Sequence, residues 1–130
     1  MIDFGYAEAM GTPSKRRTRR LAPLTVSAAF KRFVLDQLDE LGDVTPRAMF
    51  GGVGLYHRGI FFGLIARDTL YLKVGDANRA DYDRAKAKPF QPYPDRPGTM
   101  KYYAVPLDVL ESAVELAVWA RKAIAVAEGD

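Results

Sequence analysis

The stretch from Ala48 to Val74 constrains the fold most, because it sets four short apolar and aromatic segments, AMFGG, GLYHR, IFFGLIA and TLYLKV, between turn-forming residues. Segments this short, separated by His57-Arg58-Gly59 and Arg67-Asp68, read as strands joined by tight connections. The simplest arrangement is an antiparallel meander. In the last segment Leu70, Leu72 and Val74 alternate with Tyr71 and Lys73, so one face is apolar and the other carries a phenol and an ammonium. Helices are expected over one side of such a sheet.

Helical periodicity appears on both flanks. Val26, Phe30, Phe33, Val34, Leu38 and Leu41 recur at three- and four-residue steps, predicting an amphipathic helix over about 26–41. Thr25 or Ser27 can cap its start, Gly42 suits its left-handed end, and Pro46 prevents continuation. After Gly75, DANRADYDRAKA reads as a short surface helix with Ala77, Ala80, Tyr82 and Ala85 as its apolar content. KPFQPYPDRPG places four prolines within nine residues, which forbids helix and interior strand and predicts a loop pinned by Phe90 and Tyr93. MKYYAVP is a short strand ended by Pro106, and DVLESAVELAVWARKAIAVA is a final helix in two pieces meeting at Ser112, with Trp119 as a core anchor between helix and sheet. The expected class is α+β: a meander-like antiparallel sheet of about four to five strands flanked by an N-terminal and a C-terminal helix.

The chain has 130 residues, 48% of them hydrophobic, which is one domain's worth of core. The formal charge of +3 is unevenly spread. Residues 1–23 hold Lys15, Arg16, Arg17, Arg19 and Arg20 against Asp3 and Glu8, while the remaining 107 carry 14 basic and 14 acidic side chains. The expected organisation is a basic, disordered leader over 1–23 and a single folded unit over 24–130. KRRTRR could lie on phosphates by counterion release, or be a solvated tail, and the neutral body gives no continuation of a nucleic-acid footprint. No apolar run approaches the roughly 18 residues of a membrane span, and MIDFGYAEAMG lacks the apolar block of a signal peptide, so a soluble, cytoplasmic protein away from membranes is expected.

Residue counts exclude much chemistry. Without cysteine there is no disulfide, thiolate metal site or thiol nucleophile, and with His57 as the one imidazole, His-based metal sites and Ser-His-Asp machinery lack parts. Ser14, Ser27 and Ser112 stand in the leader or at helix starts, and Asp36, Asp39, Glu40, Asp43, Asp81 and Asp83 are spaced for solvated helix faces. No catalytic residue, metal or cofactor is therefore expected. MFGGVG, from Met49 to Gly54, is not a phosphate loop, because a strand follows it where a dinucleotide loop needs a helix, and no G-K-[ST] occurs. Its glycines read instead as strand positions that let the sheet curve under a helix or under Trp119. Among polar residues on regular structure, Arg47, Tyr56, Lys73, Lys101 and Tyr102 stand out, with Arg79 just beyond the sheet. If Arg47, Tyr56 and Lys73 share a face, they form a cationic, aromatic-lined patch for an anion or a partner's acidic groups; otherwise Arg47 and Lys73 pair with Asp68, Asp76 or Glu111 and only complete the fold.

Taken in order, RAMFGGVGLY, GIFFGLIARDTLYLKV, NRADY, PF, MKYYAVP and WARKAIAVA resemble the TfoX/Sxy N-terminal domain family over about residues 28–127. Met49, Phe50, Gly51, Gly52, Gly54 and Trp119 belong to those signatures. The resemblance implies a small α+β domain without attached enzymatic activity. It also implies a regulator of natural competence that acts with the cyclic-AMP receptor protein, and with RNA polymerase, at a subset of promoters. The founders carry a second, C-terminal domain, whereas this sequence ends within a few residues of WARKAIAVA, which suggests a stand-alone N-terminal domain. The commonly acidic position after LYLKV is Gly75 here, and the arginine-rich leader looks private to this chain.

Overall fold

The computed structural model describes residues 24–93 and 95–129. In chain order it contains α1 (Ala28–Gln37), a 3-10 turn (Asp39–Leu41), β1 (Val44–Met49), β2 (Gly52–His57), β3 (Ile60–Ala66) and β4 (Thr69–Lys73). Then follow α2 (Arg79–Arg84), β5 (Pro89–Phe90), β6 (Thr99–Ala104), α3 (Leu107–Leu110) and α4 (Ala113–Glu128). The strands form one six-stranded antiparallel sheet in the order β1-β2-β3-β4-β6-β5. This is the expected α+β class with one strand more than the upper expectation.

Three two-residue hairpins build the meander. Their central residues, Phe50-Gly51, Arg58-Gly59 and Arg67-Asp68, all have φ between 49° and 85°, the left-handed geometry whose twist matches that of the paired strands. The first hairpin corrects the reading of AMFGG as a strand. Met49 ends β1, Phe50 and Gly51 make the turn, and Gly52 opens β2, so the first strand lies upstream over Val44–Met49. Pro46 sits inside that strand, which its edge position allows because no neighbour needs its missing N–H. Pro89 is accommodated likewise: β5 is a two-residue edge strand on β6, where only a loop was expected.

The helices follow their capping chemistry. Ser27 Oγ accepts from the Phe30 amide at 3.1 Å and starts α1, which tightens into the 3-10 turn at Leu38 and so ends before the expected 41. Gly42 closes it at φ 73° and ψ 157°, a region open essentially to glycine alone. At the other end Ser112 Oγ accepts from the Glu115 amide at 3.2 Å, so the final helix divides into α3 and α4 at the expected residue.

All four helices serve one face of the sheet. Val34, Tyr82, Val109, Leu110, Leu116, Ala120 and Ile124 meet Val53, Leu55, Phe62, Leu70, Leu72 and Tyr103 in a single core, with α4 lying across β3 and β4. Tyr82, expected on a surface helix, is 1% exposed and sits between Trp119 (centroids 4.7 Å, edge-on) and Tyr103 (5.8 Å). Trp119, packed against this core, meets the sheet residue Tyr103 by way of the Tyr82 ring. Burial pushes the Tyr82 phenol well above its ordinary range. Asn78, 2% exposed, fixes the exit from β4: its amide oxygen accepts from Gly75 N–H at 2.8 Å and its amide nitrogen donates to Lys73 C=O at 3.1 Å. Gly75 leaves room for α4, since a Cβ there would lie 2.8 Å from Val126 Cγ1.

Gly52 and Gly54 face away from this core, so their expected place under a helix or Trp119 is not where the fold puts them. A Cβ on Gly52 would stand 2.6 Å from the Ile65 carbonyl oxygen and 3.2 Å from Leu24 Cβ. Gly52→Ala is therefore expected to lower unfolding free energy by more than about 2 kcal/mol in urea titration, because backbone must shift. Gly59→Ala, with nothing within 4 Å of its Cβ but φ at 83°, should cost only about 1 kcal/mol; equal losses would contradict the close approach at Gly52.

Asp81 ties α2 to α4 through Lys122 Nζ at 2.9 Å and also accepts from Arg84 Nη2 at 2.6 Å. The Lys122 hydrogen bond, reinforced by both positive charges against partial desolvation, holds its carboxyl below the ordinary 3.8. A lowered carboxyl stabilises the fold above the unfolded-state value and loses that contribution as pH falls through the folded value. Asp81→Asn should thus be less stable than the parent at neutral pH, with the gap closing as pH drops below about 3.8. A pH-independent gap in denaturation midpoints would contradict this.

Candidate functional site: a cationic aromatic sheet face

The face of the sheet turned away from the helices carries a second apolar cluster. Leu24, Leu64, Ala66 and Phe90 are its buried members, with Phe61, Tyr71 and Tyr102 packed against them, and it draws on no described helix residue. Strand register decides who stands there. Arg47 pairs with Gly54, Tyr56 with Phe61, Leu64 with Tyr71, and Lys73 with Tyr102, so all of these residues share the face.

The residues form a connected row. Arg47 lies over the Tyr56 ring at 5.2 Å, Tyr56 meets Phe61 at 5.2 Å, Phe61 meets Tyr102 at 5.7 Å, and Lys73 Nζ lies over Tyr102 at 5.2 Å. Gly54 is the floor: a Cβ there would lie 3.0–3.3 Å from Met49 Sδ, Phe61 Cε1 and Tyr56 Cε1. A glycine in β2 therefore lets rings from two strands lean together over its backbone. The rings are tilted by 43° and 51°, an arrangement that suits their quadrupoles. Each cation over a ring contributes on the order of 0.5–1 kcal/mol at a partly exposed site.

Two concavities flank the row. The smaller, about 140 Å³, is lined by Thr45, Arg47, Tyr56 and Gly59. The larger, about 500 Å³, is lined by Arg67, Tyr71, Lys88, Pro89 and Gln91, and Tyr71 meets Phe90 at 5.0 Å beside it. Arg67 is anchored by donating to the Gln91 and Pro92 carbonyls at 3.0 and 3.2 Å.

The structure thus places Arg47, Tyr56, Lys73 and Tyr102 in one row, while Lys101 occupies the alternate parity of β6 and Arg79 lies in α2 over Tyr103. Of the carboxylates offered as partners for Arg47 and Lys73, Asp68 accepts instead from the Ser27 amide at 2.7 Å. Phe61, which joins the two halves of the row, was not singled out from sequence: next to Phe62 it carries no sign of which aromatic faces which way. The signature residues have separate places, with Met49, Gly52 and Gly54 under this face, Phe50 and Gly51 in the first turn, and Trp119 on Tyr82. Lys15, Arg16, Arg17, Arg19 and Arg20 lie outside the described residues. His57 ends β2, beside the turn where it was expected.

A comparison with family models gives a match to the TfoX N-terminal domain over residues 36–127. The chain belongs to the TfoX N-terminal domain family. Curated proteins give no significant match. The TfoX N-terminal domain is a domain of regulators and not a known family of enzymes. Its matched span runs from the last turn of α1 to the last turn of α4 and so includes every strand of the cationic face. No helix among the described residues is long and apolar enough to cross a membrane.

Proposed function

We propose that this chain is a non-enzymatic regulatory domain that acts on transcription in the cytoplasm through a protein partner. Family membership supports a regulatory role, and a sequence with no cysteine and one histidine offers few parts for catalysis. The observation that carries the partner reading is on the helical side. Val114 and Val118, one turn apart on α4, are 66% and 45% exposed, although the helix has a buried stripe of its own in Leu116, Ala117, Ala120 and Ile124. Leu107, at the start of α3, is 66% exposed as well. Apolar side chains left in water on a helix that already buries its core-facing stripe suit a partner's apolar groove.

The partner proposed is the cyclic-AMP receptor protein or the RNA polymerase it recruits, following the family. Titration calorimetry of the full-length chain with each purified protein is expected to show binding, weakened at least tenfold by Val118→Asp, a substitution at an exposed site that should leave the melting temperature within a few degrees. Absence of heat with both proteins would reject this choice of partner, and an unchanged affinity for Val118→Asp would reject the α4 surface.

A further inference from the structure

The cavity of about 500 Å³ beside Tyr71 owes its depth to one small residue of β6. Ala104 stands opposite Tyr71 in the register, so it shares the outer face, and its amide donates to the Lys88 carbonyl at 2.9 Å. It puts up only a methyl group, which leaves the sheet low between Tyr71 and Lys88. The walls of this hollow are of one sign: Arg67 and Lys88 line it with Tyr71, Pro89 and Gln91, and no carboxylate is among these lining residues. Neither cation is neutralised there. The Arg67 guanidinium donates to the Gln91 and Pro92 carbonyls, which are neutral acceptors, so it is fixed in place with its charge uncompensated. The Lys88 ammonium has no hydrogen-bond or ion-pair partner among the described residues. Asp68, the carboxylate next to Arg67 in the chain, is taken up by the Ser27 amide. Arg67 also holds φ 50° in a turn that favours Asn, Asp or Gly, so this position keeps an arginine at a conformational cost.

We propose that this cavity binds a small-molecule phosphate monoester carried on a flat ring, with the phosphate between Arg67 and Lys88 and the ring against Tyr71 and Pro89. This goes beyond the protein-partner reading and uses the opposite side of the sheet from α4. Charge matching selects the phosphate. Two uncompensated cations face a group that carries about −1.5 to −2 at neutral pH, whereas a carboxylate would leave one of them unmatched. Volume selects the ring. The cavity falls within the range of about 300–1,000 Å³ usual for sites that hold drug-sized molecules, and a bare phosphate would occupy only a fraction of it. Tyr71, itself braced by Phe90 at 5.0 Å, and Pro89 supply the apolar surface that the rest of the molecule would cover.

The test is a titration of the full-length, nitrogen-15-labelled protein with phenyl phosphate, inorganic phosphate and benzoate, followed by amide chemical shifts. Phenyl phosphate is expected to move the amides of Arg67, Tyr71, Lys88 and Gln91 first, with a dissociation constant on the order of 1 mM. Inorganic phosphate, which lacks the ring, and benzoate, which lacks the second charge, should each bind several-fold more weakly. Lys88→Gln should weaken phenyl phosphate by about tenfold through the loss of a charge-assisted contact, at an unchanged melting temperature because Lys88 has no partner to lose. Lys101→Gln removes a cation that does not line the cavity and should leave the affinity as it was. No shifts with phenyl phosphate, shifts centred away from these residues, or equal affinity for either of the two simpler anions would overturn the proposal. So would a Lys88→Gln variant that keeps full affinity, or a Lys101→Gln variant that loses as much as Lys88→Gln. The calorimetry with protein partners is unaffected by any of these outcomes.

Discussion

One extra residue in β3 decides what each side of this sheet becomes. Pairing with β2 runs Val53 to Ile65, Gly54 to Leu64 and Leu55 to Gly63, then slips so that Tyr56 faces Phe61. Had the ladder continued, Phe62 would stand beside Tyr56 and Phe61 beside His57. The bulge instead turns Phe62 into the helix-covered core, where it is fully buried, and sends Phe61 to the other face between Tyr56 and Tyr102. Two adjacent phenylalanines thereby serve two layers: one anchors the fold and the other joins the row of rings.

The second dependency is the Arg67-Asp68 turn. Both residues hold φ near 50°, a conformation that costs non-glycine residues of order 1 kcal/mol each, and both are engaged. Arg67 holds the Gln91 and Pro92 carbonyls and, through its amide, the Leu24 carbonyl; Asp68 takes the Ser27 amide at the start of α1. A single hairpin tip thus fastens the incoming chain, the first helix and the proline-rich loop to the sheet. Gly52 completes the fastening, because its missing side chain is the space into which Leu24 settles.

Much of this was legible in the sequence because local chemistry and tertiary environment agree. Alternation in TLYLK, the caps at Ser27 and Ser112, and the turns at Arg58-Gly59 and Arg67-Asp68 are each decided within a few residues, and the fold uses them as read. Met49 to Gly54 was less legible. Phe50 at φ 49° is an unusual residue for a left-handed position, so the pair Phe50-Gly51 does not announce a hairpin, and the strand was displaced toward its glycines. Pro46 and Pro89 are tolerated only because their strands lie at sheet edges, a property of strand order that no local pattern carries. Tyr82 looked like a surface residue because α2 is otherwise polar, yet its ring closes the gap between Trp119 and Tyr103. The grouping of Arg47, Tyr56, Lys73 and Tyr102 follows from register once the strands are paired, whereas the part of Phe61 depends on a bulge, and a bulge leaves no mark in composition or periodicity.

The central claim is that the bulge splits Phe61 and Phe62 between the two faces. Nuclear Overhauser contacts among selectively labelled aromatic rings test it directly. Phe61 should show cross-peaks to both Tyr56 and Tyr102, and Phe62 to neither, with its contacts confined to the helix-covered core. Cross-peaks from Phe62 to Tyr56, with Phe61 silent toward Tyr102, would mean that the ladder runs without the slip and that the row of rings does not exist.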